Sequence, residues 1–494
     1  MELLQGLMSV FHWEVLLILI LGCAAGISIG ALPGLTATMG VALILPITFG
    51  MEAASGILLL IGVYFGSIYG GSITAILLRT PGTPSSAATA IDGYELTKKG
   101  HAQKALTMAV VASVIGGILS VILLIFVAPS LAEFALKFSA PETFALAFFG
   151  ITIISSISGE SLLKGLIAGF FGLLIATIGI DPMGGFPRFT FGSTDLMSGI
   201  NFIPIMIGLF AAATAFESIE DIFKKSVVDF SKAVKGAKLT WIDFKYSIVT
   251  ILRSSGIGAF IGMIPGAGGD IAAFVAYNEA RRFSKDKDSF GKGNINGVAA
   301  PEAANNGSTG GAMIPLLTLG IPGDAVTAVM LGALMVQGLQ PGPMLFTNNM
   351  GLINTLFAGM IVANLIILMF GLLGVKLFTK VLLIPKMILT PIILVLCVVG
   401  SYSLNNNMFD VWVMFTFGLI GYFMLKFGIP ASPIILAIIL GPLMESSFRR
   451  ALTMSNGSYE IFYTRPISAT LIAVGLITLI SPFIKKWYTN KRSA

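Results

Sequence analysis

Four times, within sequence apolar enough to lie in a membrane, this chain interrupts itself with Pro-Gly: at Pro33 and Gly34, Pro81 and Gly82, Pro265 and Gly266, and Pro322 and Gly323. Proline removes a backbone donor and clashes with the preceding turn, so each pair is expected to break a helix. A broken helix leaves N–H and C=O groups free, and at membrane depth such groups persist only inside protein or against a water-filled cavity. A fold that carries four breaks must therefore hold them away from lipid.

The breaks come in two ordered pairs. GISIGALPGL from Gly26 and GAFIGMIPGA from Gly258 share the pattern GxxxGxxPG and lie 232 residues apart. GSIYGGSITAILLRTPG from Gly66 and GSTGGAMIPLLTLGIPG from Gly307 agree at Gly, Ser, Gly, Pro and Gly and lie 241 residues apart. Gly-rich membrane helices produce single GxxxG matches by chance, but two matches in one order at nearly one offset indicate a duplication.

Only 11% of the 494 residues are charged, where a soluble domain carries roughly a quarter. The apolar segments leave room for roughly ten to thirteen spans of about twenty residues, and they lack the ten-residue alternation of barrel strands. The expected fold is an all-α polytopic membrane protein of about 10–13 transmembrane helices. The Pro-Gly sites become broken helices or re-entrant hairpins at the midplane. Segments without breaks, from Val111 and from Gly351, read as a scaffold around the motif core.

Charge placement adds topology. The net charge of +6 sits mostly between apolar segments, as in Lys98, Lys99 and Lys104, or Lys485, Lys486, Lys491 and Arg492. These mark cytoplasmic loops rather than a nucleic-acid surface. The loop from Phe49 has no Lys or Arg, whereas its counterpart ARRFSKDKDSFGKG from Ala280 is rich in both. One unit later the asymmetry reverses: DGYELTKKGHAQK from Asp92 is basic, and VQGLQPGPMLFTNN from Val336 is uncharged. Equivalent loops should lie on opposite sides, which predicts two inverted-topology repeats, residues 1–218 and 246–494, joined by a cytoplasmic amphipathic connector, 219–245. With no Lys or Arg before Arg79, the first segment is expected to remain as a helix and the start to lie outside. Glu160, Lys164, Asp181 and Asp195 flank helix ends and read as interfacial.

Enzyme chemistry finds little support. The two histidines, His12 and His101, lie near a terminus and in a basic loop; Cys23 and Cys397 lie in apolar helices; no GxxxxGK[ST] occurs. A Ser-His dyad, a thiolate metal site and ATP hydrolysis are not expected, nor is any cofactor beyond a coupling Na+ or H+. Polar residues gather instead at the breaks. Freed N–H groups at helix starts suit a carboxylate, and freed carbonyls suit sodium. The candidate substrate-binding set is Thr36, Thr38, Ser67, Arg79, Thr80, Gly82, Thr83, Gly266, Gly268, Asn305, Asn306, Ser308 and Gly323. The candidate ion-coupling set is Pro33, Gly34, Pro81, Pro265, Asp270, Asn305, Pro322 and Asp324. Any single hydroxyl or amide among them could instead serve only to bond helix to helix. Arg79 either snorkels to the interface without a partner or holds an anion directly or through an intermediary.

At these residues the chain resembles the large transmembrane subunit of the bacterial tripartite tricarboxylate transporter family. GALPGLTATMG, YGGSITAILLRTPGTPSSAATAIDGY, IPGAGGDIAAFVAYNEARR and APEAANNGSTGGAMIPLLTLGIPGD occur in the expected order over nearly the whole chain. The resemblance implies a bacterial inner-membrane subunit working with a small transmembrane subunit and a periplasmic solute-binding protein. It also implies uptake of a citrate-like di- or tricarboxylate driven by an ion gradient. Because the motif units differ from the plain helices, the core is expected to move as a body against the scaffold, an alternating-access and elevator-like motion. A self-sufficient organic-anion permease or channel is the alternative. Moving one negative charge inward against 100 mV costs about 2.3 kcal/mol, so a trianion costs roughly 7 kcal/mol before any concentration gradient. A few sodium ions or protons must accompany it. With few acids at the breaks, carbonyls, Asn305, Asn306 and hydroxyls are expected to hold sodium; if sodium is not the ion, Asp270, Glu302 and Asp324 become the candidates for a proton.

Overall fold

The computed structural model describes residues 2–32, 34–152, 162–181, 183–221, 237–374, 378 and 386–493, the side chains of residues 2, 3, 162, 221, 386 and 481–493 excepted. The first part of the chain forms α1 (Glu2–Val10), α2 (Trp13–Ala31), α3 (Ala37–Ile44), α4 (Ala53–Leu78), α5 (Ala87–Lys98) and α6 (Ala102–Ala135). Next come α7 (Ala140–Thr152), α8 (Leu162–Ala176), α9 (Phe202–Met206) and α10 (Ala213–Asp221), the last two joined by a π turn, Ile207–Ala212. The second half runs through α11 (Trp241–Met263), α12 (Gly268–Phe283), α13 (Asn296–Leu319), α14 (Ala325–Val336), α15 (Pro343–Asn348), α16 (Met350–Leu373) and α17 (Lys386–Asn405). The chain closes with α18 (Met408–Phe427), α19 (Ser432–Met454), α20 (Glu460–Thr464) and α21 (Pro466–Ser493).

Among the described residues, nine helices are long and apolar enough to cross a membrane, and four shorter apolar helices accompany them. The only strand pairing among these residues joins Gly179 and Ile180 to Pro187 and Arg188. The chain is an all-α multi-pass membrane protein. Most of the 219–245 connector, residues 222–236, lies outside the described residues, as does Glu160.

Contacts divide the chain into two compact units, each drawing on both halves of the sequence: Met1–Ala132 with Thr214–Leu404, and Glu133–Ala213 with Asn405–Ala494. The first unit holds all four breaks together with α6 and α16. Its most deeply placed helices are α4, buried from Ser55 to Leu77, and α13, buried from Asn296 to Thr318. A helix buried all round is normally apolar all round. Yet α13 carries Glu302, Asn305, Asn306, Ser308 and Thr309 and is not among the nine apolar spans.

The duplication seen in the sequence reappears contact for contact. A Cβ on Gly26 or Gly30 of α2 would overlap the carbonyl oxygen of Val63 or Ser67 on α4. On the equivalent Gly258 or Gly262 of α11 it would overlap that of Ala304 or Ser308 on α13. All four partners obey the same offsets of 232 and 241 residues. Glycine here lets two backbones meet, the usual way membrane helices gain packing without a hydrophobic drive. Thus α2 with α4, and α11 with α13, form two matching locked pairs.

The ends of these units are tied selectively. Lys99 Nζ at the end of α5 donates to the Lys292 carbonyl (2.5 Å), joining the two basic loops. At the end of α14, Gln337 Nε2 donates to the Thr48 carbonyl (2.9 Å), joining the two loops that lack Lys and Arg.

In the second unit, Phe448 stacks on Phe462 at 5.4 Å and both meet Phe144. The loop between α8 and α9 is fixed by charge: Arg188 pairs with Glu445 (2.7 Å), and Arg449 pairs with Asp181 (2.9 Å) and Glu445 (2.8 Å). Burial alone would raise the Asp181 carboxyl, but hydrogen bonds from Arg449 and from the N–H groups of Met183 and Gly184 outweigh it and hold it below the usual carboxylate range. Asp181 is therefore an anchored loop residue rather than a simple interfacial one. Lys164 donates to the Phe427 carbonyl, capping the end of α18.

Candidate functional site

Each break has a local cause, and the two copies share it. Leu32 and Ile264 end their helices in extended conformation. Gly34 and Gly266 follow at φ +94° and +81°, a region that favours glycine. Arg79 and Gly320 end α4 and α13 in the left-handed conformation, φ 60° and 68°. Thr83 with Ser86, and Asp324 with Thr327, then form equivalent capping boxes opening α5 and α14. In the second, Asp324 Oδ1 accepts from the Thr327 N–H (2.7 Å) while Thr327 Oγ1 accepts from the Asp324 N–H (2.8 Å). Thr36 caps α3 by accepting from the Met39 N–H (3.2 Å). Pro33 lies outside the described residues.

The breaks are brought together. The Gly266 N–H donates to the Gly323 carbonyl (2.7 Å). Gly82 packs directly on the Gly30 carbonyl, and its N–H donates to Gly71 (3.2 Å). Tyr64, on α4 of the first copy, donates its hydroxyl to Asp324 Oδ2 (2.7 Å) at the fourth break. Ala88 of α5 packs with Ala272, Ala273 and Ala276 of α12 and with Ala300 and Ala304 of α13.

Within this assembly Asn305 stands apart. It is fully buried, and neither its Oδ1 nor its Nδ2 has a hydrogen-bond partner. The amide faces Gly269 in the first turn of α12: a Cβ there would sit 2.5 Å from Asn305 Oδ1 and 2.9 Å from Ser308 Oγ. An unsatisfied buried polar group costs about 1–3 kcal/mol, which singles out this amide among the break residues as a candidate for function. Asn306, its neighbour, is turned away and donates to the Glu302 carbonyl of its own helix (3.1 Å). Ser67 is used between helices, donating to the Gly26 carbonyl (3.1 Å), and Ser308 donates to the Asn305 carbonyl (2.7 Å). The structure thus leaves the buried Asn305 amide without an internal partner and gives Asn306 and Ser67 structural bonds.

Accessibility separates the remaining candidates. Gly34, Arg79, Thr80 and Asp270 are exposed, and Thr36, Pro81, Pro265, Gly266, Gly268 and Asp324 are half-buried. Thr38, Gly82, Thr83, Pro322 and Gly323 are buried. Charge divides by copy. The first-copy breaks offer Arg79 with the hydroxyls of Thr36 and Thr80 and no acid. The second-copy breaks offer Asp270 and Asp324, close enough to repel one another. No group of three or more His, Cys, Asp or Glu that could hold a metal ion occurs among the described residues.

Arg79 is the outlier in backbone terms. A non-glycine residue in the left-handed region costs on the order of 1 kcal/mol, and the other copy avoids it with Gly320. The sequence gives no sign of Tyr64, whose role appears only through its bond to Asp324 across 260 residues. A cleft of about 740 Å3 near α1, lined by His12, Glu14 and Glu52 among others, contains no Lys, Arg or break residue and is not the anion site.

Residues 16–436 match the family model described as the tripartite tricarboxylate transporter TctA family. The chain is 39% identical over 487 residues, 97% of its own length and 96% of the relative's, to an uncharacterised 52.8 kDa protein in the TAR-I ttuC' 3' region of Agrobacterium vitis. It is 40% identical over 223 residues, 45% of its length and 92% of the relative's, to an uncharacterised protein in the TAR-II ttuC' 3' region of the same organism. No solved structure matches the chain. With four breaks in the family's motifs and a match over most of its length, this chain belongs to the tripartite tricarboxylate transporter TctA family.

Proposed function

We propose that this protein is the large membrane subunit of a binding-protein-dependent secondary transporter in a bacterial inner membrane. It imports a citrate-like di- or tricarboxylate by alternating access, with a small transmembrane subunit and a periplasmic binding protein as partners. The observation that carries the reading is the buried Asn305 amide without a hydrogen-bond partner at the converging helix breaks, where a polar guest would be held without covalent chemistry. The carboxylate sits at the first-copy breaks against Arg79 and the α3 start capped by Thr36. A coupling cation sits at the second-copy breaks against Asp270, Asp324 and Asn305.

Inverted repeats are favoured by the loop ties. If the copies ran the same way, the loop after α3 would lie beside the loop after α12. Instead Thr48, after α3, meets the end of α14, while the loop after α12 meets the end of α5. The glycine-locked pairs α2 with α4 and α11 with α13 are stiff pieces suited to moving as a body, in the manner of an elevator.

The test is uptake of a labelled carboxylate into liposomes holding this chain and its small subunit, with and without the binding protein, under an inward sodium or proton gradient. Uptake requiring both a gradient and the binding protein is expected. Uptake without the binding protein would replace this reading with a self-sufficient permease. In the same assay Arg79→Gln should raise the half-saturating concentration about tenfold or more, since a charge-assisted hydrogen bond is worth about 1.5–3 kcal/mol. Asn305→Ala should cut uptake at least tenfold while leaving thermal stability nearly unchanged, because its amide makes no internal bond. A large loss of stability with uptake intact would make Asn305 a packing residue instead.

A further inference from the structure

We propose that Glu302 is a proton site separate from the breaks, a carboxyl that takes a proton from the outer side and gives it up to the cytoplasm once per transport cycle. The inference rests on the transport reading above and adds a second point of ion coupling to it.

The geometry is that of a buried carboxyl held only by hydroxyl groups. Glu302 is fully buried in α13. Its Oε1 accepts from Thr89 Oγ1 of α5 (2.5 Å), and its Oε2 accepts from Ser113 Oγ of α6 (2.9 Å). Ser72 of α4, also fully buried, donates instead to the Tyr69 carbonyl (2.6 Å). One turn back on α4, the buried Tyr69 hydroxyl has no partner and lies within electrostatic reach of Glu302.

Among the described residues no Lys, Arg or His pairs with this acid. On α5, Asp92 is held by the Tyr277 hydroxyl of α12 and by the loop N–H groups of Gly291, Gly293 and Asn294. On α6, Lys104 pairs with Asp243 of α11, and Arg253 of α11 lies over Phe283. On α4, Tyr64 bonds Asp324, and Asp270 of α12 interacts with that same Asp324. Around Glu302 itself the hydrogen-bonding groups are the hydroxyls of Thr89 and Ser113.

The duplication supplies an internal control. At an offset of 241 residues, Glu302 corresponds to Ile61, Thr89 to Met330, Ser72 to Met313 and Tyr69 to Gly310. Ile61, Met313 and Met330 are as fully buried as their polar counterparts. At that offset Ser113 corresponds to Asn354, which is also buried, so the counterpart positions keep one polar residue but place Ile61 where the acid stands. A charge retained where a hydrocarbon serves equally well marks function in a membrane. The site is also wired to the breaks. Thr89 lies on the helix opened by the Thr83 capping box, and Glu302 precedes Asn305 by one turn on α13. Movement of α5 with its break would lift the Thr89 donor off Glu302, destabilising the carboxylate so that it takes up a proton, and the return of α5 would restore the donor and favour release. A trianion needs more than one compensating charge, which the break-site acids and Glu302 together can provide.

The test uses the full complex in liposomes and two readouts: exchange of labelled for unlabelled carboxylate at equal pH on both sides, and accumulation driven by an outside-acid pH step without sodium. In Glu302→Gln, which keeps the shape, the ratio of pH-driven accumulation to exchange is expected to fall at least tenfold. Unaltered pH-driven accumulation in this variant would overturn the proposal, as would a wild type that accumulates substrate on a sodium gradient but never on a pH step. Should Glu302→Gln fail to insert, Ser113→Ala, which removes a hydrogen-bond donor from the carboxylate, is expected to move the pH profile of uptake to higher pH; an unmoved profile would overturn the proposal. A wild type showing neither exchange nor accumulation would remove the transport reading itself.

Discussion

Asp92→Ala should destabilise the first unit by about 3–5 kcal/mol, as expected when a buried, hydrogen-bonded charge is removed from its partners. The Asp92 carboxylate accepts from the N–H groups of Gly291 (2.9 Å), Gly293 (2.7 Å) and Asn294 (2.8 Å) and from the Tyr277 hydroxyl (2.8 Å). A single side chain on α5 therefore replaces a missing layer of backbone bonding for the loop after α12. Removing it strands three backbone donors and a phenol, each costing about 1–3 kcal/mol when unsatisfied, with water recovering part at the exposed Gly291. Asp92→Asn should cost less, because one oxygen remains to accept. The loss should be local first: amide hydrogen exchange over 285–295 should speed up by orders of magnitude before the unit melts. Unchanged protection in that loop would mean that the basic loops are joined by something other than Asp92.

What could be read from the sequence follows from how local its causes are. Pro and Gly act through sterics within a turn, so the breaks were legible; Asp324, read only as an ion-coupling candidate, also caps α14 through Thr327, three residues away. The duplication was legible because glycine spacing encodes close approach. Direction around a buried helix was not. Asn305 and Asn306 are adjacent and chemically identical, yet packing leaves one amide without a partner and folds the other onto its own helix. Glu302 and Asp181 were visible as charges, but their meaning depends on Thr89, Ser113 and Arg449, which lie 213, 189 and 268 residues away. Tyr64 carried no signal, since an aromatic in an apolar helix usually only packs.

The same logic of close approach gives the second large effect. Gly82→Ala should abolish transport and sharply lower the yield of folded protein, although it adds one methyl group. The new Cβ would overlap the Gly30 carbonyl oxygen on one side and stand 2.9 Å from the Gly71 Cα on another. Both obstacles are backbone, so no rotamer can yield; either α2 parts from α4 or the second break shifts. Overpacking of this kind costs about 1–3 kcal/mol and occasionally more. Gly323→Ala, its counterpart, should behave alike, meeting the Ala312 Cα at 2.7 Å and the Gly262 carbonyl at 2.8 Å. Gly34→Ala separates the two uses of glycine. Nothing lies within 4 Å of its added Cβ, and the whole cost is that of holding alanine at φ +94°, on the order of 1–3 kcal/mol. Folded yield and uptake measured on the three variants should therefore rank Gly34→Ala well above the other two. The reverse order would mean that the conformation of the breaks, rather than the contact of backbones across them, holds the site together.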